Sequence, residues 1–185
     1  MQKNIYKYSR LSFLVLSVCF LNVYVSRAQI KPLLDVPYVS TSPKVVEGML
    51  KLAQVKKGDV VYDLGCGDGR VVIAAVRDFH AIGVGFDLDP ERVAEANENA
   101  SRAGLSDRAK FVTADLFDVD LTHATVITLY LLPTVNMQLR EKLLALKPGT
   151  RIVSHAFSMG DWKPDKMEEV EDSIIYFWTV PKKNR

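Results

Sequence analysis

Between residues 43 and 157 short apolar runs alternate with helix-patterned segments, and this alternation constrains the fold more than any other property of the chain. The first helix is announced by Ser42 as an N-cap and Pro43 at the first helical position, with Val45, Val46, Met49, Leu50 and Ala53 recurring at helical spacing. "KKGD" breaks it, and "VVYDL", residues 60–64, reads as a strand buried on both faces of a parallel sheet. Helix "GRVVIAAVRD" then leads to strand "AIGVGFDLD"; helix "PERVAEANENASRA" has Asp89 as its cap, Pro90 at its first position and Gly104 as its stop. Strands "KFVTAD" and "ATVITLYL", helix "TVNMQLREKLLAL", the turn "KPG" and strand "TRIVSHAF" continue the series. After "SMGDWKPD" the pattern changes: "KMEEVEDSIIYFWTVP" contains two strand-like segments joined at Glu171 and Asp172, the mark of an antiparallel hairpin. Seven strands with interleaved helices predict an α/β fold, a doubly wound sheet that is mostly parallel and closes on a C-terminal antiparallel hairpin.

The 185 residues suffice for one domain with a full core. The first 28 residues stand apart. They carry Lys3, Lys7, Arg10 and Arg27 and no acid, a continuous apolar run from Leu11 to Val25, and small residues Ser26 and Ala28 before Gln29. These are the parts of a secretory signal, and the 15-residue run is short against the roughly 20 that a membrane span needs. Residues 1–28 are therefore expected to be a signal peptide or an uncleaved membrane anchor, and residues 29–185 the functional domain, exported or held at a membrane. The formal net charge of +2 comes from this leader: without it, 20 basic residues face 22 acidic ones. Such a body has no basic excess to hold a nucleic-acid backbone, so no nucleic-acid partner is expected. With Cys19 in the leader, Cys66 is the single cysteine of the body and reads as a small residue packed into a turn.

The turn in question is "DLGCGDGR", after the first strand, where ligands of open α/β sheets bind. A dinucleotide site would show G-x-G-x-x-G set against a pyrophosphate. Here the glycines are Gly65, Gly67 and Gly69, preceded by Asp63, and a carboxylate at that point opposes a phosphate but suits a cation. Asp87 ends the second strand, where it can accept hydrogen bonds from both hydroxyls of a ribose, and Asp115 ends the third, where it can accept from the exocyclic amine of a base. Three acids at the ends of three successive strands match a ligand with an ammonium group, a ribose and an adenine but no phosphate, and S-adenosyl-L-methionine is that ligand.

With these motifs the sequence resembles the class I, seven-strand S-adenosylmethionine-dependent methyltransferases, whose sheet is Rossmann-like, over residues 37–181. "PYVSTSPKVVEGML", "DLGCGDGRVVIAA", "LYLLPTVNMQLREKL" and "RIVSHAFSMGDWKP" are similar to the mitochondrial lysine methyltransferases of ATP synthase subunit c and the adenine nucleotide translocator. The resemblance implies that Asp63, Gly65, Gly67 and Gly69 cradle the methionine part of the cofactor, that Asp87 takes the ribose and Asp115 the adenine, and that Tyr38 and Thr41 line the site from the lead-in. It also implies that "LYLLP" receives the acceptor, with Tyr130, Leu131, Leu132 and Pro133 as a desolvating mouth. The D/N-P-P-Y/F motif of nucleic-acid adenine methyltransferases is missing from that position.

Methyl transfer from a sulfonium needs positioning more than it needs a metal or a covalent intermediate, so no metal site is expected. No general base stands out. His155 at the end of the fifth strand reads as a satisfied or solvated residue, the acids from Asp161 to Asp172 as a solvated hairpin, and Trp162 and Trp178 as packing. Three functions follow: methylation of a protein lysine, a membrane protein among the candidate substrates; methylation of a small molecule such as a lipid, quinone or amine; or cofactor binding without catalysis. A monomer is expected in each case.

Overall fold

A computed structural model describes residues 39–182. The expected signal or anchor segment, the 28/29 boundary and Tyr38 lie outside the described residues. Among the described residues no helix is long and apolar enough to cross a membrane.

The chain runs α1 (Pro43–Leu52), β1 (Val60–Leu64), α2 (Arg70–Phe79), β2 (Ile82–Asp87), α3 (Pro90–Arg102), β3 (Ala109–Thr113), β4 (Val126–Leu129), α4 (Pro133–Leu144), β5 (Arg151–His155), β6 (Lys166–Val170) and β7 (Ser173–Thr179). The caps act as their chemistry requires. Ser42 accepts from the Val45 amide at 3.3 Å, and Asp89 accepts from Glu91 at 2.9 Å. Expected and observed elements coincide, with ends trimmed: β3 stops at Thr113, two residues before Asp115, and β4 stops at Leu129.

The strands form one seven-stranded sheet in the order β3-β2-β1-β4-β5-β7-β6, parallel through β5 and antiparallel at β5/β7 and β7/β6. The order reverses between β1 and β4, so the crevice for a ligand opens at the carboxyl ends of those two strands. Strand alternation sorts the residues onto two faces. On one face Val61, Val126, Val153, Ile175 and Phe177 pack beneath α1 and α2, while α3 closes over Phe111 and Ala109. On the other, Leu64, Phe86, Ile127, Ile152 and the fully buried Trp178 pack beneath α4 through Val135, Leu139 and Leu143. Trp162 lies against Trp178 with ring centroids 5.9 Å apart and accepts the indole N–H at its carbonyl, so both tryptophans pack as expected.

At the opposite end of the sheet a polar staple holds the strands together. Arg151 pairs with Asp59 and donates to the carbonyls of Ala53 (3.0 Å) and Gln54 (2.8 Å). Asp59 also accepts from the Lys56 amide and the Thr125 hydroxyl. Burial pushes the Asp59 carboxyl up, but the hydrogen bonds from Arg151, Lys56 and Thr125 outweigh it and hold it below its ordinary value.

Candidate functional site

The glycine loop is pinned from beneath. Both the Gly65 and the Cys66 amides donate to the carbonyl of Phe86, at 2.8 and 2.9 Å, and the Gly69 amide returns to the Cys66 carbonyl at 2.9 Å. Two glycines are required by close approach. A Cβ on Gly65 would stand 2.7 Å from Leu131, and one on Gly69 would stand 2.6 Å from Phe111 and 2.9 Å from Ala96, both at positive φ. Cys66 is buried, and burial first, then the Asp63 charge, pushes its thiol far above the ordinary range. It is a packing residue and no nucleophile.

Asp63 is buried to 4% exposure, and its carboxylate accepts the Thr128 hydroxyl at 2.6 Å. The two residues are register partners across β1 and β4. Burial raises the Asp63 carboxyl to about 7; the Thr128 bond works against this, while the Asp87 and Asp68 charges add to it. Asp87 accepts from the Gly67 amide with one oxygen and from the Asp89 amide with the other, each at 2.9 Å. Each oxygen keeps a second lone pair, so the carboxylate is locked in orientation and still able to accept two hydroxyls. The loop after β3 is tied to the same place, since the Ala114 amide donates to the Asp87 carbonyl at 2.9 Å. Asp115 itself is exposed, and one of its oxygens turns back onto the Phe117 amide.

These features fit S-adenosylmethionine on chemical grounds. The buried carboxyl of Asp63, with two further acids nearby, is electrostatically unsatisfied until a positive group sits beside it, which is the opposite of a phosphate site.

Thr41, in the lead-in, is buried and bonded on two sides. Its hydroxyl and the His155 Nδ1 lie 3.1 Å apart, and its carbonyl accepts from Arg70 at 2.7 Å. The Arg70 guanidinium in turn grips Asp68 in the glycine loop through Nε and Nη2. The lead-in is thereby fastened to both sides of the crevice. By strand alternation Asp63, Thr128 and His155 belong to one face of the sheet, the face that α1 covers.

The expected acceptor mouth divides. Tyr130 is half-buried and Pro133 exposed, whereas Leu131 is a core residue at 3% exposure, packed over Gly65. Tyr130 lies on His155, with ring centroids 3.9 Å apart, and Phe157 continues the wall at 6.4 Å. His155 is neither solvated nor alone: burial pushes its imidazole below the ordinary value, which keeps it neutral near pH 7.

Sequence reasoning missed Thr128, Arg70 and Phe157. Thr128 carried a signal, as the one polar residue in "VITL". So did Arg70, a cation at a helix N-terminus, where the dipole disfavours it unless an acid such as Asp68 is close. Phe157 carried none, because its position depends on a turn. Glu171 in the acidic hairpin bonds Ser42 and pairs with Lys44, so one of those acids ties the hairpin to α1.

The profile of the ANTKMT methyltransferase domain matches residues 63–166. A protein-lysine N-methyltransferase of Saccharolobus islandicus (strain REY15A) is 48% identical over 78% of this chain and 94% of its own length. The adenine nucleotide translocase lysine N-methyltransferase of Mus musculus is 39% identical over 71% of this chain, which spans only 57% of that protein. Among solved structures, a crystal structure described as an RNA methyltransferase from Salinibacter ruber in complex with S-adenosyl-L-homocysteine is 49% identical, covering 80% of this chain and 97% of that one, with a TM-score of 0.77.

Proposed function

Because the chain belongs to the family of the ANTKMT methyltransferase domain and is an S-adenosylmethionine-dependent methyltransferase, we propose that its acceptor is the side-chain amine of a protein lysine. The observation that carries this reading is the wall of Tyr130, His155 and Phe157, which meets the acceptor side of the crevice with aromatic surface and a neutral imidazole.

When bound, the cofactor supplies a methyl group on a cationic sulfur, open to in-line displacement by a neutral amine. Asp63, Gly65 and Gly67 would hold its methionine end, with the Asp63 charge set against the ammonium group, and Asp87 its ribose. Asp115 is the proposed contact for the adenine, through the oxygen that Phe117 leaves free. Thr41 would line the site from the lead-in.

A lysine arrives protonated, and holding it neutral at pH 7 costs about 4 to 5 kcal/mol from its reference pKa. Aromatic walls desolvate the ammonium and lower that cost. His155, held neutral by burial, adds no positive charge beside a cationic donor and a basic acceptor. The amine would first give its proton to solvent, and transfer would then form the N–C bond as the C–S bond breaks, the electron pair staying on sulfur as the neutral thioether leaves.

The name of the Salinibacter ruber relative supports a second reading, transfer to RNA. The test is to incubate the protein with methyl-labelled S-adenosyl-L-methionine and total cell extract, then hydrolyse the labelled fraction. Label recovered as methyllysine, and lost when lysines are acetylated beforehand, is the expected result. Label released by ribonuclease favours the RNA reading, and label confined to an organic-solvent extract favours a small-molecule acceptor.

A further inference from the structure

A strained turn at the end of β5 lies over an orphaned polar atom of α4. Ala156 has φ +63°, a conformation that a side chain disfavours. The Phe157 amide donates to the His155 carbonyl at 2.8 Å, a two-residue closure around Ala156 that makes a γ-turn of the strained, positive-φ kind. Beneath it, Asn136 on α4 is fully buried, and its Oδ1 has no hydrogen-bond partner among the described residues. Strain and orphaned polar atoms persist where the surroundings over-determine them, and they cluster at functional sites.

Here the surroundings can be named. The Asn136 amide nitrogen lies 3.3 Å from Ser154 Oγ, 3.3 Å from the Phe157 carbonyl and 3.5 Å from the Ser158 carbonyl. The Ser154 hydroxyl donates to the same Phe157 carbonyl at 2.7 Å. On the strand side, the Ala156 amide is paired with the Ile174 carbonyl at 2.8 Å. The backbone just past β5 is therefore held by Asn136 of α4 on one face and by β7 within the sheet. The consequence is geometric. Reversal at Ala156 brings Phe157 to the aromatic wall on Tyr130, beside His155.

We propose that Asn136 is the positioning residue of the acceptor mouth: from the core beneath α4 it holds the Ala156 γ-turn closed and so places Phe157 on Tyr130. This rests on the lysine reading above for what enters the mouth. Asn136 is fully buried, and it acts through the Phe157 carbonyl.

The test uses two variants that open the turn by different routes. Asn136→Leu removes the donor while filling the same space and abolishing the orphaned oxygen, so the fold is expected to keep its thermal midpoint. Ala156→Val leaves Asn136 in place but puts a β-branched residue at a positive φ. Methyl incorporation from labelled S-adenosyl-L-methionine is followed against graded total cell protein, cofactor affinity by calorimetry, and amide exchange at residues 157 and 158 by mass spectrometry. Both variants are expected to lower kcat/KM for the protein acceptor at least tenfold, with cofactor Kd within twofold of wild type and faster exchange confined to the turn. Unchanged kcat/KM alongside fast exchange would overturn the proposal, as would unchanged exchange in Asn136→Leu or a cofactor Kd that worsens in step with activity. A wild-type protein that labels only RNA or lipid would instead overturn the lysine reading, and the variants would then still be compared on the acceptor that is labelled.

Discussion

The Asp63 carboxylate and the Thr128 hydroxyl meet at 2.6 Å across the β1/β4 register, at the point where the strand order of the sheet reverses. The pair puts a buried acid in the cofactor crevice with one neutral hydrogen bond and no cation among its described partners. Its carboxyl rises to about 7 in consequence, burial being the main cause. The folded protein then keeps a proton that the unfolded chain gives up near 3.8, so the stability this group contributes falls as pH rises from about 4 to about 7. Asp63→Asn is therefore expected to melt higher than wild type at pH 8 without cofactor, by a margin on the order of 4 kcal/mol, and to lose that margin toward pH 4. Thermal melts across this range check it, and a margin independent of pH would refute it.

The same group makes cofactor binding depend on pH in wild type. A cation beside Asp63 favours the ionised form, so binding releases a proton below pH 7 and affinity is expected to fall about tenfold per pH unit there. Calorimetry at pH 6 and pH 8 should show that loss in wild type and little of it in Asp63→Asn.

Gly69 and Gly149 both have φ above +80°, but a Cβ on Gly69 would meet Phe111 and Ala96 within 3 Å while one on Gly149 would meet nothing within 4 Å. Gly149→Ala should cost about 1 kcal/mol from backbone conformation alone. Gly69→Ala adds overpacking and should cost about 2 to 4 kcal/mol. Urea denaturation of both variants measures the difference, and equal losses would mean that the loop yields.

Asp59 and Arg151 form the staple at the end of the sheet away from the crevice. Arg151→Met leaves a buried carboxylate without its cation and should cost about 3 to 5 kcal/mol at pH 7, with methyl transfer unchanged in the fraction that remains folded. The Asp59 carboxyl is held below its ordinary value, so this contribution is present above pH 4 and is lost as pH falls through the depressed value. Denaturation at pH 7 and pH 3 should show the large and the diminished effect.

The elements that hydrophobic period and caps define were legible in the sequence: Ser42 and Asp89 cap where expected, and the hairpin turns at Glu171 and Asp172. Those signals are local. The placement of Asp63, Asp87 and Asp115 was legible too, because they stand at or just beyond the carboxyl ends of three successive strands. What depends on register or on a turn was hidden. Thr128 becomes a partner of Asp63 only once β4 is known to lie beside β1, with four elements between them in the chain. Leu131 looked like a mouth residue because it neighbours Tyr130, yet the chain leaving β4 points it into the core over Gly65. His155 is satisfied, as one of its two readings had it, but its partner was hidden because Thr41 lies 114 residues earlier and is brought to it by the lead-in.

The claim that acids choose the ligand of this site is tested most directly by titrating S-adenosyl-L-methionine into wild type and Asp87→Ala in a calorimeter. Asp87 orients its two oxygens through Gly67 and Asp89, and two charged hydrogen bonds to the ribose amount to about 3 kcal/mol or more. The predicted result is saturable one-to-one binding in wild type and at least a hundredfold loss in the variant. Equal affinity in the two proteins would contradict it.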